Sequence, residues 1–126
     1  MREMMDILRE ARAGSAPGPN GVPYKVNKYC PRLVRRLWKL IKVIWRRGHV
    51  PDCWTVSEGI FAPKEQNSTE INQFRTISLL NVEGKIFMSL LSRRLTSFLI
   101  KTNTLTPRSK NAEYQVWQVA WSILAS

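Results

Sequence analysis

Apolar residues recur along the chain with two periods, and the change from one to the other marks out the elements. From Pro31, the residues Leu33, Leu37, Leu40, Ile41 and Ile44 follow helical spacing, which predicts a helix with Pro31 in its first turn and Gly48 at its stop. After Asn81 a second stripe of this kind, Phe87, Leu90, Leu91, Leu95, Phe98 and Leu99, predicts a longer helix. Between the two the pattern turns to strand language. "VPDCWTVSEGIFAPK" sets Val56, Ile60 and Phe61 among smaller or polar residues, and "FRTISLL" repeats the theme. The polar connection over residues 65–73 predicts an antiparallel hairpin with a mobile tip.

Ahead of these elements, residues 4–13 read as a short helix, which "GSAPGPNGVP" ends. That segment is richer in Pro than a flexible linker and predicts a loop with a defined path. The expected fold class is therefore α+β: a helix, a Pro/Gly turn, a helix, a two-stranded hairpin and a long helix. Trp38 and Trp45 stand seven residues apart on one helical face, which favours core packing, while Trp38, Trp45 and Trp54 together also allow a base-stacking reading.

Charge changes the picture more than length does. The 126 residues are enough for one domain with a modest core, and 44% are apolar. Twenty Lys+Arg against nine Asp+Glu give a formal charge of +11, which points to a polyanionic partner, with nucleic acid ahead of an anionic membrane. The helix pattern that begins at Pro31 is itself basic at Arg32, Arg35, Arg36, Lys39, Lys42, Arg46 and Arg47, with no acid among them. Such a run repels itself unless something anionic faces it, so it reads either as a phosphate-facing surface or as a solvated helix face.

Several chemistries fall away on residue inventory. The two cysteines, Cys30 and Cys53, allow at most one disulfide, and one histidine leaves little for a zinc site. His49 has no Ser or Cys partner nearby in sequence and reads as a loop residue. Asp6 and Asp52 read as a helix-start and a turn residue, not as a paired-metal site, and "GPNGVPYK" lacks the ending of a Walker phosphate loop. The N-terminal "MREMMDILREARAGS" is not a secretory signal, and the expected setting is intracellular, nuclear or cytoplasmic, with no membrane partner.

The hairpin keeps one candidate chemistry. If its strands pair, Lys64 and Arg75 lie near the same end of the ladder and offer a point charge and a planar fork to a polyphosphate. The alternative is hairpin charge that serves solubility alone.

Three stretches, "SAPGPNGVPYKVNKYCP", "LWKLIKVIWRRGHVPDCWTVSEGIFAPKEQ" and "INQFRTISLLNVEGKIFMSLLSRRL", carry a family resemblance. Their P-G-P-x-G turn, W-x-x-x-x-G-x-F-x-P-K segment and F-R-x-I-S-L-L-N-x-x-x-K-I-F segment occur together and in this order. In that combination the chain resembles the N-terminal part of the reverse transcriptase domain of non-LTR (LINE-type) retrotransposons, over residues 1–107. The resemblance implies a polymerase fingers region with the approach to the palm. It implies that Lys64 and Arg75 contact the triphosphate of an incoming dNTP. It places Pro17, Gly18 and Gly21 of the turn, with Arg32, Arg35, Arg36, Lys39, Lys42 and Arg46 behind them, along the path of an RNA template or RNA/DNA duplex. Thr76 stands where many reverse transcriptases carry proline, a departure that leaves Arg75 in place.

The family's palm carboxylates would lie downstream of the resembling residues. The expectation is thus a truncated fingers region that does not polymerise alone and holds no cofactor, Mg2+ being expected only in a complete family member. A face meant for a palm would invite self-association. Residues 108–126 depart from the family pattern, and a permitted choice of codons read two bases later from within Ser109 restores it, which points to a frameshift or truncation. The alternative for this tail is a short helix in which Trp117, Trp121, Ile123 and Leu124 cap exposed core. The alternative for the whole is a small non-enzymatic basic protein that holds RNA or DNA.

Overall fold

The computed structural model describes residues 1–102; the expectations for the tail lie outside the described residues. Five α-helices and a two-stranded antiparallel sheet follow one another as α1 (Arg2–Glu10), α2 (Tyr24–Tyr29), α3 (Pro31–Arg47), α4 (Asp52–Thr55), β1 (Ser57–Pro63), β2 (Phe74–Leu80) and α5 (Val82–Lys101). The α+β class expected from the pattern of periods is the one observed. The core joins Met4, Ile7 and Leu8 of α1 to Val34, Leu37, Ile41 and Ile44 of α3, with Trp54 and the first half of α5 completing it.

Helix α3 spans the expected residues, with Pro31 at its first position and Gly48 in the left-handed region at φ 68°. Its buried face keeps three of the five expected residues and is turned slightly from the expected one. Val34, Leu37, Ile41 and Ile44 point inward, Leu33 is half-buried and Leu40 is exposed. Two stripes of 3-4 spacing share Leu37 and Ile44, one through Leu33 and Leu40 and the other through Val34 and Ile41. The position of α5 selects the second, because Ile41 and Leu90 wall the same groove between the helices.

Helix α5 departs from its predicted stripe in a similar way. Val82, Ile86 and Met88 are buried beside the expected Phe87 and Leu90, whereas Leu95 and Leu99 are half-buried and Phe98 is 61% exposed. The first half of α5 is enclosed on several sides, and an enclosed helix is apolar all round instead of along one stripe. Trp54 of α4 covers one of those sides, its ring 5.9 Å from that of Phe87. Residues 52–55, expected within a strand segment, form that helical turn; Pro51 precedes it and Thr55 Oγ1 donates to the Asp52 carbonyl.

Helix α1 starts and ends earlier than the expected 4–13, since Ala11 is already extended. Asp6 lies inside it, paired with Arg9 at 3.3 Å, and not at its start. Glu3 and Glu10, on either side of Asp6 in the same helix, reach across to Arg94 and Arg93 of α5. The acids of α1 are therefore spent on their own helix and on α5.

The hairpin pairs Ser57 with Leu80 through to Pro63 with Phe74, and most of its residues are exposed on both faces. It stands out from the core and is rooted where Leu80 and Asn81 lead into α5. The connection expected as a mobile tip carries its own hydrogen bonds. Ser68 Oγ donates to the Glu65 carbonyl, and Gln73 Oε1 accepts from the amides of Thr69 and Glu70.

The Pro/Gly segment closes onto that root. Gly18 lies so near the Leu80–Asn81 backbone that a Cβ there would come within 2.3 Å of the Leu80 carbonyl carbon. The Gly18 carbonyl accepts from the Gly21 amide at 2.9 Å, making a turn around Pro19 and Asn20. Asn81 holds the turn: its Oδ1 accepts from the Asn20 amide at 2.9 Å, and its Nδ2 donates to the Cys53 carbonyl at 2.6 Å. Three segments far apart in sequence meet on one carboxamide.

Candidate nucleic-acid interface

Each full turn of a helix takes 3.6 residues, so Arg32, Arg35, Arg36, Lys39, Lys42, Arg46 and Arg47 fall within an arc of about 140° on α3. That arc lies opposite Val34, Leu37, Ile41 and Ile44. All seven side chains are exposed, and none pairs with an acid among the described residues. The periodicity that buries one face of α3 thus concentrates cations on the other, while the acids of α1 pair within α1 and with α5. The result is a positive face about 25 Å long, from 17 residues at 1.5 Å each. Phosphates spaced along a nucleic-acid strand are the natural complement of such a face.

The hairpin brings Lys64 and Arg75 together as its own register dictates. Arg75 lies opposite Ala62, and the Lys64 amide bonds the Gln73 carbonyl at 2.9 Å. Lys64 follows the last residue of β1, and this bond carries the pairing one step past it, which puts Lys64 two positions from Ala62 and so on the side of the ladder that Arg75 takes. The Lys64 ammonium donates to the Asn72 carbonyl at 2.7 Å, which ties it back over the connection. Ile60 and Ile77, paired directly and exposed, continue that face toward the root of the hairpin.

The turn residues differ from one another in access. Gly21 is exposed and Pro17 half-buried, while Gly18 is buried under Leu80 and Asn81. The requirement for glycine at position 18 comes from this packing. Lys85 of α5 donates to the Ala16 carbonyl at 3.4 Å, and burial lowers its pKa from the usual lysine value.

A groove of about 260 Å³ opens between α3 and α5, lined by Trp38, Ile41, Lys42, Trp45, Arg46, Leu90 and Arg94. Of the two tryptophans expected in the core, Trp38 packs at its edge, whereas Trp45 is 45% exposed. The Arg94 guanidinium lies 4.9 Å from the Trp45 ring centroid, and its Nε and Nη2 both donate to Glu3 Oε2. Sequence reasoning placed Trp45 inward because seven-residue spacing puts it on the face of Trp38. It could not see Arg94, which arrives from 49 positions away in the sequence.

Nothing else in the described residues assembles chemistry. No cluster of three or more His, Cys, Asp and Glu is found there, Cys30 and Cys53 are free and exposed, and His49 is an exposed loop residue. No helix among the described residues is long and apolar enough to cross a membrane. No family model matches the chain.

Proposed function

We propose that the chain is the fingers region of an RNA-directed DNA polymerase of the non-LTR retrotransposon type, contacting template with α3 and the incoming dNTP with the hairpin. The observation that carries this reading is the register of β1 and β2, which sets Lys64 and Arg75 on one face at neighbouring positions. A compact ammonium and a planar guanidinium at that separation suit a polyphosphate, the first as a point charge and the second as a fork. The three sequence stretches that resemble such polymerases support the same assignment. In those polymerases the metal-binding carboxylates belong to a palm that follows this region, so the role assigned here is binding.

Titration with dTTP in the presence of Mg2+ tests the reading. Lys64→Ala and Arg75→Ala are each expected to weaken binding about tenfold, within the range for a charge-assisted contact. Unchanged affinity in both variants would discard the clamp.

The cations of α3, which pair with no acid among the described residues, favour a second reading, a non-enzymatic RNA- or DNA-binding protein. It needs only the helix face. RNA binding with steep salt dependence, lost on charge reversal at Arg35, Lys39 and Lys42, together with no affinity for dTTP, would select it over the first.

A further inference from the structure

The groove between α3 and α5 adjoins the cationic arc of α3 and adds apolar and aromatic surface to it. Its floor is apolar, from Ile41 and Leu90, and its walls hold two indoles, Trp38 and Trp45. Its mouth is cationic, from Lys42 and Arg46, which also belong to the phosphate-facing arc of α3. At the other wall the charge is balanced, because both donors of Arg94 that point to Glu3 are engaged by one carboxylate oxygen. That engagement also fixes the guanidinium plane beside Trp45, giving a rigid aromatic and cationic surface at low cost in ordering.

We propose that this groove takes the base of an unpaired nucleotide, while Lys42 and Arg46 hold the adjoining phosphates. The proposal rests on the nucleic-acid reading above and makes it specific: the ligand is single-stranded RNA or DNA. The placement of charge decides which end of the nucleotide goes where, since Lys42 and Arg46, which pair with no acid among the described residues, stand beside the flat surfaces of the indoles. Stacking on indole and guanidinium is tolerant of base identity, because every base presents a π-face. Volume decides the strandedness. A cavity of about 260 Å³ lies just below the usual range for small-molecule sites and suits one base. A base kept inside a duplex stack cannot enter it.

The mixed-charge hollow between α1 and the end of α5 offers a contrast. It is lined by Glu3, Asp6, Arg93, Arg94 and Lys101, whose charges largely offset one another, and it has Phe98 as its one aromatic group.

The experiment compares uridine octaribonucleotide with an abasic octamer of equal length and charge, at low salt, against the full chain. Wild type is expected to bind the octamer with bases at least about tenfold more tightly, the scale of one stacked base. Trp45→Ala is expected to abolish that preference while leaving affinity for the abasic strand unchanged, and Trp45→Phe to keep part of it. Equal affinity of wild type for the two strands, or a preference that survives Trp45→Ala, overturns the base site. The wild-type comparison stands even where a variant folds poorly. Failure to bind either strand would remove the phosphate-facing reading as well, whereas equal binding of both removes the base site alone.

Discussion

The side chain of Asn81 accepts a hydrogen bond from the backbone amide of Asn20, 61 residues earlier in the chain, at 2.9 Å. Asn81 occupies the position before α5 where asparagine ordinarily caps its own helix, yet it makes no side-chain cap there. Its carboxamide instead links the Pro/Gly turn to Cys53 at the start of α4. A residue that looks like a local helix signal serves as a brace between distant segments.

Replacing Asn81 with Ala removes both bonds and leaves the Asn20 amide and the Cys53 carbonyl without their partner. The expected loss is about 2–4 kcal/mol of folding stability, from two partly buried groups at 1–3 kcal/mol each less what water recovers. Urea denaturation followed by far-UV circular dichroism measures it. Asn72→Ala, at an exposed position, is the control and is expected to stay within about 0.5 kcal/mol of wild type.

Gly18→Ala drives a methyl group into the Leu80–Asn81 backbone, where the nearest atom would stand at 2.3 Å. Backbone cannot move aside as a flexible side chain does, so a loss of about 3 kcal/mol is expected, with local displacement of the turn. At Gly59 a Cβ meets nothing within 4 Å, and Gly59→Ala in the exposed strand is expected to be tolerated. Equal midpoints for the two variants in chemical denaturation would contradict the close approach.

Asn27 is fully buried, and neither its Oδ1 nor its Nδ2 finds a hydrogen-bond partner among the described residues. Burial without compensation works against folding, so Asn27→Leu, which keeps the branched shape without polar atoms, is expected to stabilise the protein by about 1–2 kcal/mol. A raised midpoint in thermal melting supports this. A lowered one means that the carboxamide has a bonded partner in solution.

Burial raises the pKa of Tyr24 above its usual value of 10.0. The folded state therefore holds that proton to higher pH than the unfolded state does. The stability linked to it is fully present below pH 10 and is lost as pH rises through the folded value. Tyr24→Phe cannot ionise and is expected to show a shallower fall in stability above pH 10, read from urea midpoints at successive alkaline pH values.

Much of the framework is legible in residue spacing. Pro31 and Gly48 bound α3 because one fits a first turn and the other accepts a left-handed backbone, and both preferences are local. The pairing of β1 with β2 follows from two β-rich runs around a polar connection. Places where spacing misled are those where two local answers were equally good. Leu33 and Val34 compete for the buried face of α3, and only the partner helix distinguishes them. Trp45 shares a helical face with Trp38, yet the groove leaves Trp45 open where Trp38 meets the core edge.

The candidate site divides along the same line. Sequence alone determined that α3 carries seven cations opposite an apolar face and that Lys64 and Arg75 flank one hairpin connection, because helix period and strand pairing act over short range. Tertiary structure decided that none of those cations pairs with an acid among the described residues, and that Glu3 and Glu10 pair with α5. It also decided that Gly18 and Asn81 lock the hairpin root, and that Arg94 lies beside Trp45. These contacts join segments tens of residues apart, and their geometry follows from how helices of fixed width pack around one core, which no local preference encodes.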